Sequence, residues 1–104
     1  MSYSITHRYG SMDSEPPLSA LPALLAELRE RPEDTEHGSV ALTHESEWCL
    51  SVSRSGHVVF ENLEDGGERH LKNVSDVQVL QMWEDLAAGR VAKLQELPWT
   101  PGYE

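Results

Sequence analysis

Hydrophobic positions along this chain recur at two periods, and the places where the period changes mark its elements. Tyr3, Ile5, His7 and Tyr9 alternate with Ser4, Thr6 and Arg8, which predicts a strand carrying its larger side chains on one face. Gly10 to Pro17 is turn chemistry and ends it. Leu18, Leu21, Leu25 and Leu28 then follow at steps of three and four, with Leu24 beside them. That spacing predicts an amphipathic helix over Ser19–Arg31, with Ser19 as N-cap and Pro22 in the first turn, where a missing N–H costs little. Pro32 stops it, and Glu33 to Gly38 reads as an acidic loop.

Period two returns for three strands. Val40 and Leu42 alternate with Ala41 and Thr43 over Ser39–His44. Glu47–Ser53 sets Trp48, Leu50 and Val52 against Cys49, Ser51 and Ser53. Ser53-Arg54-Ser55-Gly56 reads as a hairpin connection. The return strand, His57–Asn62, places Val58 and Phe60 on the core face. An acidic tip from Glu64 to Glu68 makes the next turn, and Arg69–Asn73 is a short strand candidate. A second helix starts at Ser75: Gln78 three residues on completes a capping box, and Val74 and Val79 form the matching hydrophobic staple. Val79, Met82, Trp83 and Leu86 share its inner face, and Gly89 ends it. Val91, Leu94 and Leu97 fit either a short helix or an irregular strand. Pro98 to Tyr103 is expected as an extended tail.

The order β-α-β-β-β-β-α implies an α+β fold, an antiparallel sheet of four to five strands with two main helices packed against it. Trp48, Phe60, Trp83 and the leucines of the first helix are the expected core. With 104 residues there is room for one domain, 1–104, in which 1–17 form an N-terminal strand and loop and 98–104 the tail.

Composition narrows the function. Eighteen Asp and Glu against eight Lys and Arg give a net charge of −10, which repels phosphate backbones and anionic membrane surfaces. Direct nucleic-acid binding and membrane partners are therefore not expected. Apolar runs are too short to span a bilayer, no secretory signal opens the chain, and the lone Cys49 has no partner for an internal disulfide. A cytoplasmic protein is expected.

Catalytic chemistry finds little footing. His7, His37, His44, His57 and His70 lack the spacing of a helical zinc motif, and Cys49 has no C-x-x-C partner. Ser51 and Ser53 follow no nucleophile elbow, and Gly66-Gly67 is flanked by acids where a phosphate loop needs Lys and Ser or Thr. The reading is of a non-enzymatic protein with no cofactor and no metal. A small metal- or ligand-binding enzyme using His44, His57 and Cys49 is the outlying alternative.

Interaction features remain. Three Trp and three Tyr exceed what one small core requires. Trp99 and Tyr103 stand in a proline-bracketed tail as candidate aromatic anchors, although Trp99 is also placed to fold back over the sheet or the second helix. Glu64, Asp65 and Glu68 would present carboxylates to Arg or Lys of a cationic partner. The Glu33–Glu36 loop concentrates charge in the same way.

Glu36-His37 ahead of a strand, Trp48 opening the next, Gly56-x-Val58-x-Phe60-Glu61-Asn62 and His70 form one half of a pattern. Trp83-x-x-Leu86-Ala87-x-Gly89 and Pro98-Trp99-x-x-Gly102-Tyr103 form the other. From Leu18 to Tyr103 the chain resembles small bacterial immunity proteins encoded with polymorphic, contact-dependent or type VI secreted toxins. The resemblance implies an inhibitor that binds one cognate toxin domain, in some systems a basic nuclease, and occludes its active site. The competing expectation is an orphan regulatory or adaptor domain that binds a host protein.

Overall fold

A computed structural model describes residues 3–7, 10–29, 39–53 and 56–102. The expected acidic loop at 33–38 and Tyr103 lie outside the described residues. Among the described residues there are seven strands: β1 (Tyr3–Thr6), β2 (Met12–Ser14), β3 (Ser39–His44), β4 (Trp48–Ser53), β5 (Val58–Asn62), β6 (Gly66–Leu71) and β7 (Thr100–Pro101). They form one antiparallel sheet in the order β2-β1-β3-β4-β5-β6-β7. Three helices, α1 (Leu21–Ala26), α2 (Asp76–Ala87) and α3 (Val91–Gln95), contribute to the same core. The fold is α+β, as the alternation of periods implies.

The sheet is wider than the sequence patterns indicate because its added edges are short. β2 lies in the segment with turn chemistry, its three residues are all exposed, and it pairs back on β1. β6 begins at Gly66, inside the acidic tip, since Gly66 and Gly67 both take positive φ and bend the chain back into register. β7 is a two-residue piece of the tail, paired at Arg69↔Pro101 and His70↔Thr100. Periodicity cannot register strands as short and as exposed as β2 and β7.

Alternation along the strands sorts the two faces. Ile5, Val40, Leu42, Leu50, Val52, Val58 and Phe60 point into the helix layer and are buried. Trp83 on α2 is fully buried and donates its Nε1–H to the Leu50 carbonyl at 3.0 Å, tying the helix to a central strand. Leu21, Leu24, Leu25 and Leu28 close the core from the first helical segment, whereas Leu18 is exposed. Trp48, expected inside, is half-buried and packs against the core margin. The opposite face carries small side chains such as Ser4, Thr43, Cys49 and Ser51 in register across β1, β3 and β4.

The helix starts differ in how well local chemistry specified them. Ser75 caps α2: its hydroxyl accepts from the Gln78 N–H at 3.3 Å, and Gln78 Oε1 accepts from the Ser75 N–H at 3.2 Å. Ser19 is not an N-cap. A 3-10 turn over Leu18–Ala20 precedes α1, Ala20 occupies the cap position without a side-chain bond, and Glu27–Arg29 continues as another 3-10 turn. Pro22 in the first turn is tolerated as expected. The ambiguous stretch after Gly89 is helical, as α3. Gly56 closes the β4–β5 connection with φ of +79°, and a Cβ there would meet the Val74 carbonyl oxygen at 2.9 Å.

Candidate functional site

Four consecutive antiparallel strands bring two turns to the same end of the sheet. Glu45 to Glu47 joins β3 to β4, and Leu63 to Asp65 joins β5 to β6. Their backbones are bonded directly, with the Leu63 N–H donating to the Glu47 carbonyl at 2.8 Å. Asn62 locks the arrangement from beneath. Its buried side chain accepts from the N–H groups of Glu64 at 2.9 Å and Asp65 at 2.8 Å through Oδ1, and its Nδ2 reaches the Ser46 carbonyl at 3.4 Å. An Asn at the start of a turn does this readily, because its amide mimics the backbone partner the turn lacks.

The result is a dense negative surface. Glu45, Glu47, Glu64 and Asp65 are exposed, Glu61 and Glu68 are half-buried, and the side chain of Leu63 stands among them at 55% exposure. Such a surface attracts a cationic partner over about one Debye length, about 8 Å at physiological salt. Sequence reasoning assigned Glu64, Asp65 and Glu68 to this surface and missed Glu45 and Glu47. The signal was available, since in a four-strand meander the first and third turns necessarily lie at the same end of the sheet.

Trp99 approaches the same hairpin from the tail. Its Nε1–H donates to the Leu94 carbonyl at 2.7 Å, and its ring stacks on Phe60 at 5.3 Å between centroids. Phe60 stacks in turn on Trp48 at 4.6 Å, and the Arg69 guanidinium lies 5.4 Å from the Trp48 centroid. Gly67, Glu68, Arg69, Trp99 and Pro101 border a shallow depression of about 290 Å³. Glu68 and Trp99, two residues singled out separately, therefore share one surface feature. Trp99 does fold back, with its polar atom satisfied internally, and it remains half-buried rather than enclosed.

Other titratable groups are occupied structurally. Cys49 is buried, burial pushes its thiol pKa up, and Thr43 Oγ1 donates to its sulfur at 3.4 Å. A thiol held protonated in this way is a poor nucleophile. His44 and His57 do not meet: His44 ends β3 beside the acidic turns, whereas His57 precedes β5 and stacks on His70 at 5.2 Å. The Ser46 N–H bonds His44 Nδ1 at 3.1 Å, which makes Nδ1 the acceptor and leaves the buried Nε2–H without a partner among the described residues. His70 Nδ1–H donates to the Gly102 carbonyl at 2.9 Å. Among the described residues no three His, Cys, Asp or Glu side chains gather as a metal-binding group.

His7 is a bridge that sequence patterning could not reveal. Its two ring nitrogens contact Asp13 Oδ2 and Glu27 Oε2, each at 2.6 Å, so it joins the β1–β2 hairpin to the end of the first helical segment. Those two hydrogen bonds, Asp13 first, raise its pKa above 6.5 against a smaller opposing effect of burial. No protein-family model, no curated protein and no solved structure matches this chain.

Proposed function

We propose that this chain is an immunity-type inhibitor, which neutralises a cognate toxin domain by seating its acidic end over a cationic active-site cleft. The observation that carries the reading is the hydrogen-bonded joining of the 45–47 and 63–65 turns into one negative surface that includes the exposed Leu63. Because Asn62 and the Leu63–Glu47 bond fix those backbones beforehand, little conformational entropy remains to be lost on docking. Complementary charge raises association rates by about 10- to 1,000-fold, which suits an inhibitor that must act before its toxin does. Leu63 and the half-buried edge of Trp99 supply the apolar contacts that charge alone cannot, with Tyr103 of the tail as a further anchor.

A nuclease is the toxin class that fits best. Its cleft is lined by the Lys and Arg that hold a phosphate backbone, and clustered carboxylates compete for the same groups. The inhibitor works by occlusion and does no chemistry of its own, and its place of action is the cytoplasm.

Affinity capture from the native bacterium followed by mass spectrometry tests this. The expected result is one stoichiometric cationic protein whose activity falls on titration with this chain. A stoichiometric host protein with no toxic activity would replace this function with that of an adaptor.

A further inference from the structure

At the far end of β6 from the acidic turns lies a groove of about 420 Å³, between the β6–α2 connection, α2 and α3. Its walls are apolar: Leu71 comes from the sheet, Met82 from α2, and Leu94 and Leu97 from α3 and the turn after it. That volume lies within the range of about 300–1,000 Å³ typical of small-molecule sites.

The charge around this groove is opposite to that of the rest of the chain. Lys72 and Lys93, the only lysines in the sequence, both line it. Asp85 is the one acid among its described lining residues, and it is already paired with cations. The nearly buried Asp85 Oδ1 lies 3.0 Å from Arg90 Nε and 3.6 Å from Lys93 Nζ, and it accepts from Gln81 Nε2 at 3.3 Å. The lining thus carries a net positive charge of one, with Arg90 adding another through Asp85, on a protein of net charge −10. Lys72 has no acid among the lining residues other than this neutralised one.

We propose that this groove binds a small amphipathic monoanion, a carboxylate carrying an aliphatic or aryl body. The hydrocarbon lies against Leu71, Met82, Leu94 and Leu97, and the carboxylate sits at the rim between Lys72 and Lys93. An apolar cation is rejected by the same pair. The groove is separate from the acidic end, so this site stands whether or not that end binds a toxin.

The test is a titration of the full chain with decanoate, decanol and decylammonium, followed by calorimetry and by amide and methyl NMR shifts. Saturable decanoate binding is expected, with shifts confined to Leu71, Met82, Leu94, Leu97 and their neighbours. Decanol should bind more weakly and decylammonium not at all. Lys72→Glu should weaken decanoate by about tenfold and leave decanol unchanged, since reversing a rim charge acts on the anion alone. Leu97→Trp should abolish both by filling the groove, and unchanged spectra elsewhere will show each variant folded. Equal binding of decylammonium, shifts mapping outside the groove, or no saturation at millimolar decanoate would each overturn the proposal.

Discussion

Asn62 is the residue on which the acidic end depends, and replacing it separates the turn's architecture from its charge. Asn62→Ala removes no carboxylate but deprives the Glu64 and Asp65 N–H groups of their acceptor, at 2.9 and 2.8 Å, and cuts the 3.4 Å link to Ser46. Two lost hydrogen bonds at about 1 kcal/mol each, with a smaller share from the long one, give a destabilisation of about 2 kcal/mol. For a domain of this size that lowers Tm by roughly 8–15 °C. Asn62→Asp keeps both acceptor bonds and makes them charge-assisted, yet adds a carboxylate beside Glu47, Glu61, Glu64 and Asp65. Its deficit is expected to be smaller than that of the Ala variant and to shrink with added salt, as screening weakens the repulsion. Urea unfolding measures the stabilities, and hydrogen exchange at the Glu64 and Asp65 amides measures the turn. An Asn62→Ala variant within about 0.5 kcal/mol of the wild type, with both amides still protected, would refute the reasoning.

Other expectations follow from the same geometry. Trp83→Phe loses the bond to the Leu50 carbonyl and opens a cavity under α2, so a loss of about 2–3 kcal/mol is expected in urea unfolding; a loss below about 1 kcal/mol would contradict the buried tie. His7 has a raised pKa in the folded chain, so its ionic bridge stabilises fully below pH 6.5 and is lost as pH rises through the higher folded value. The stability difference between wild type and His7→Gln should therefore narrow from pH 6.5 upward, and a difference independent of pH would remove the bridge from the account. Cys49, buried and with its pKa raised, should react with a thiol reagent only at the rate of unfolding; rapid labelling of the native chain would show an open path to it.

What the sequence made legible divides along physical lines. Where side-chain burial imposes a period, the elements were readable: β3, β4, β5 and α2 fall within a residue or two of their expected bounds, and the Ser75 cap stands where two local signals agreed. Elements held by backbone pairing alone, β2 and β7, have almost no buried side chains and left no period to read. Ser19 was misread as a cap because Ser-x-x-Pro resembles a helix start, whereas the chain enters through a 3-10 turn one step earlier. For the candidate site, local composition located Glu64, Asp65 and Glu68 but could not tell that Glu68 and Trp99 share a depression. Nor could it show Asn62 as the joint between two turns. Those facts depend on contacts between residues 16 or more positions apart.

The association rate of the captured partner with the wild type and with the Glu64→Lys/Asp65→Lys/Glu68→Lys variant, over roughly 50–300 mM salt, tests the central claim most directly. The wild-type rate should fall about 10- to 100-fold across that range, and the variant should bind slowly with little dependence on salt. Equal rates and equal salt slopes for the two proteins would contradict docking through the acidic end.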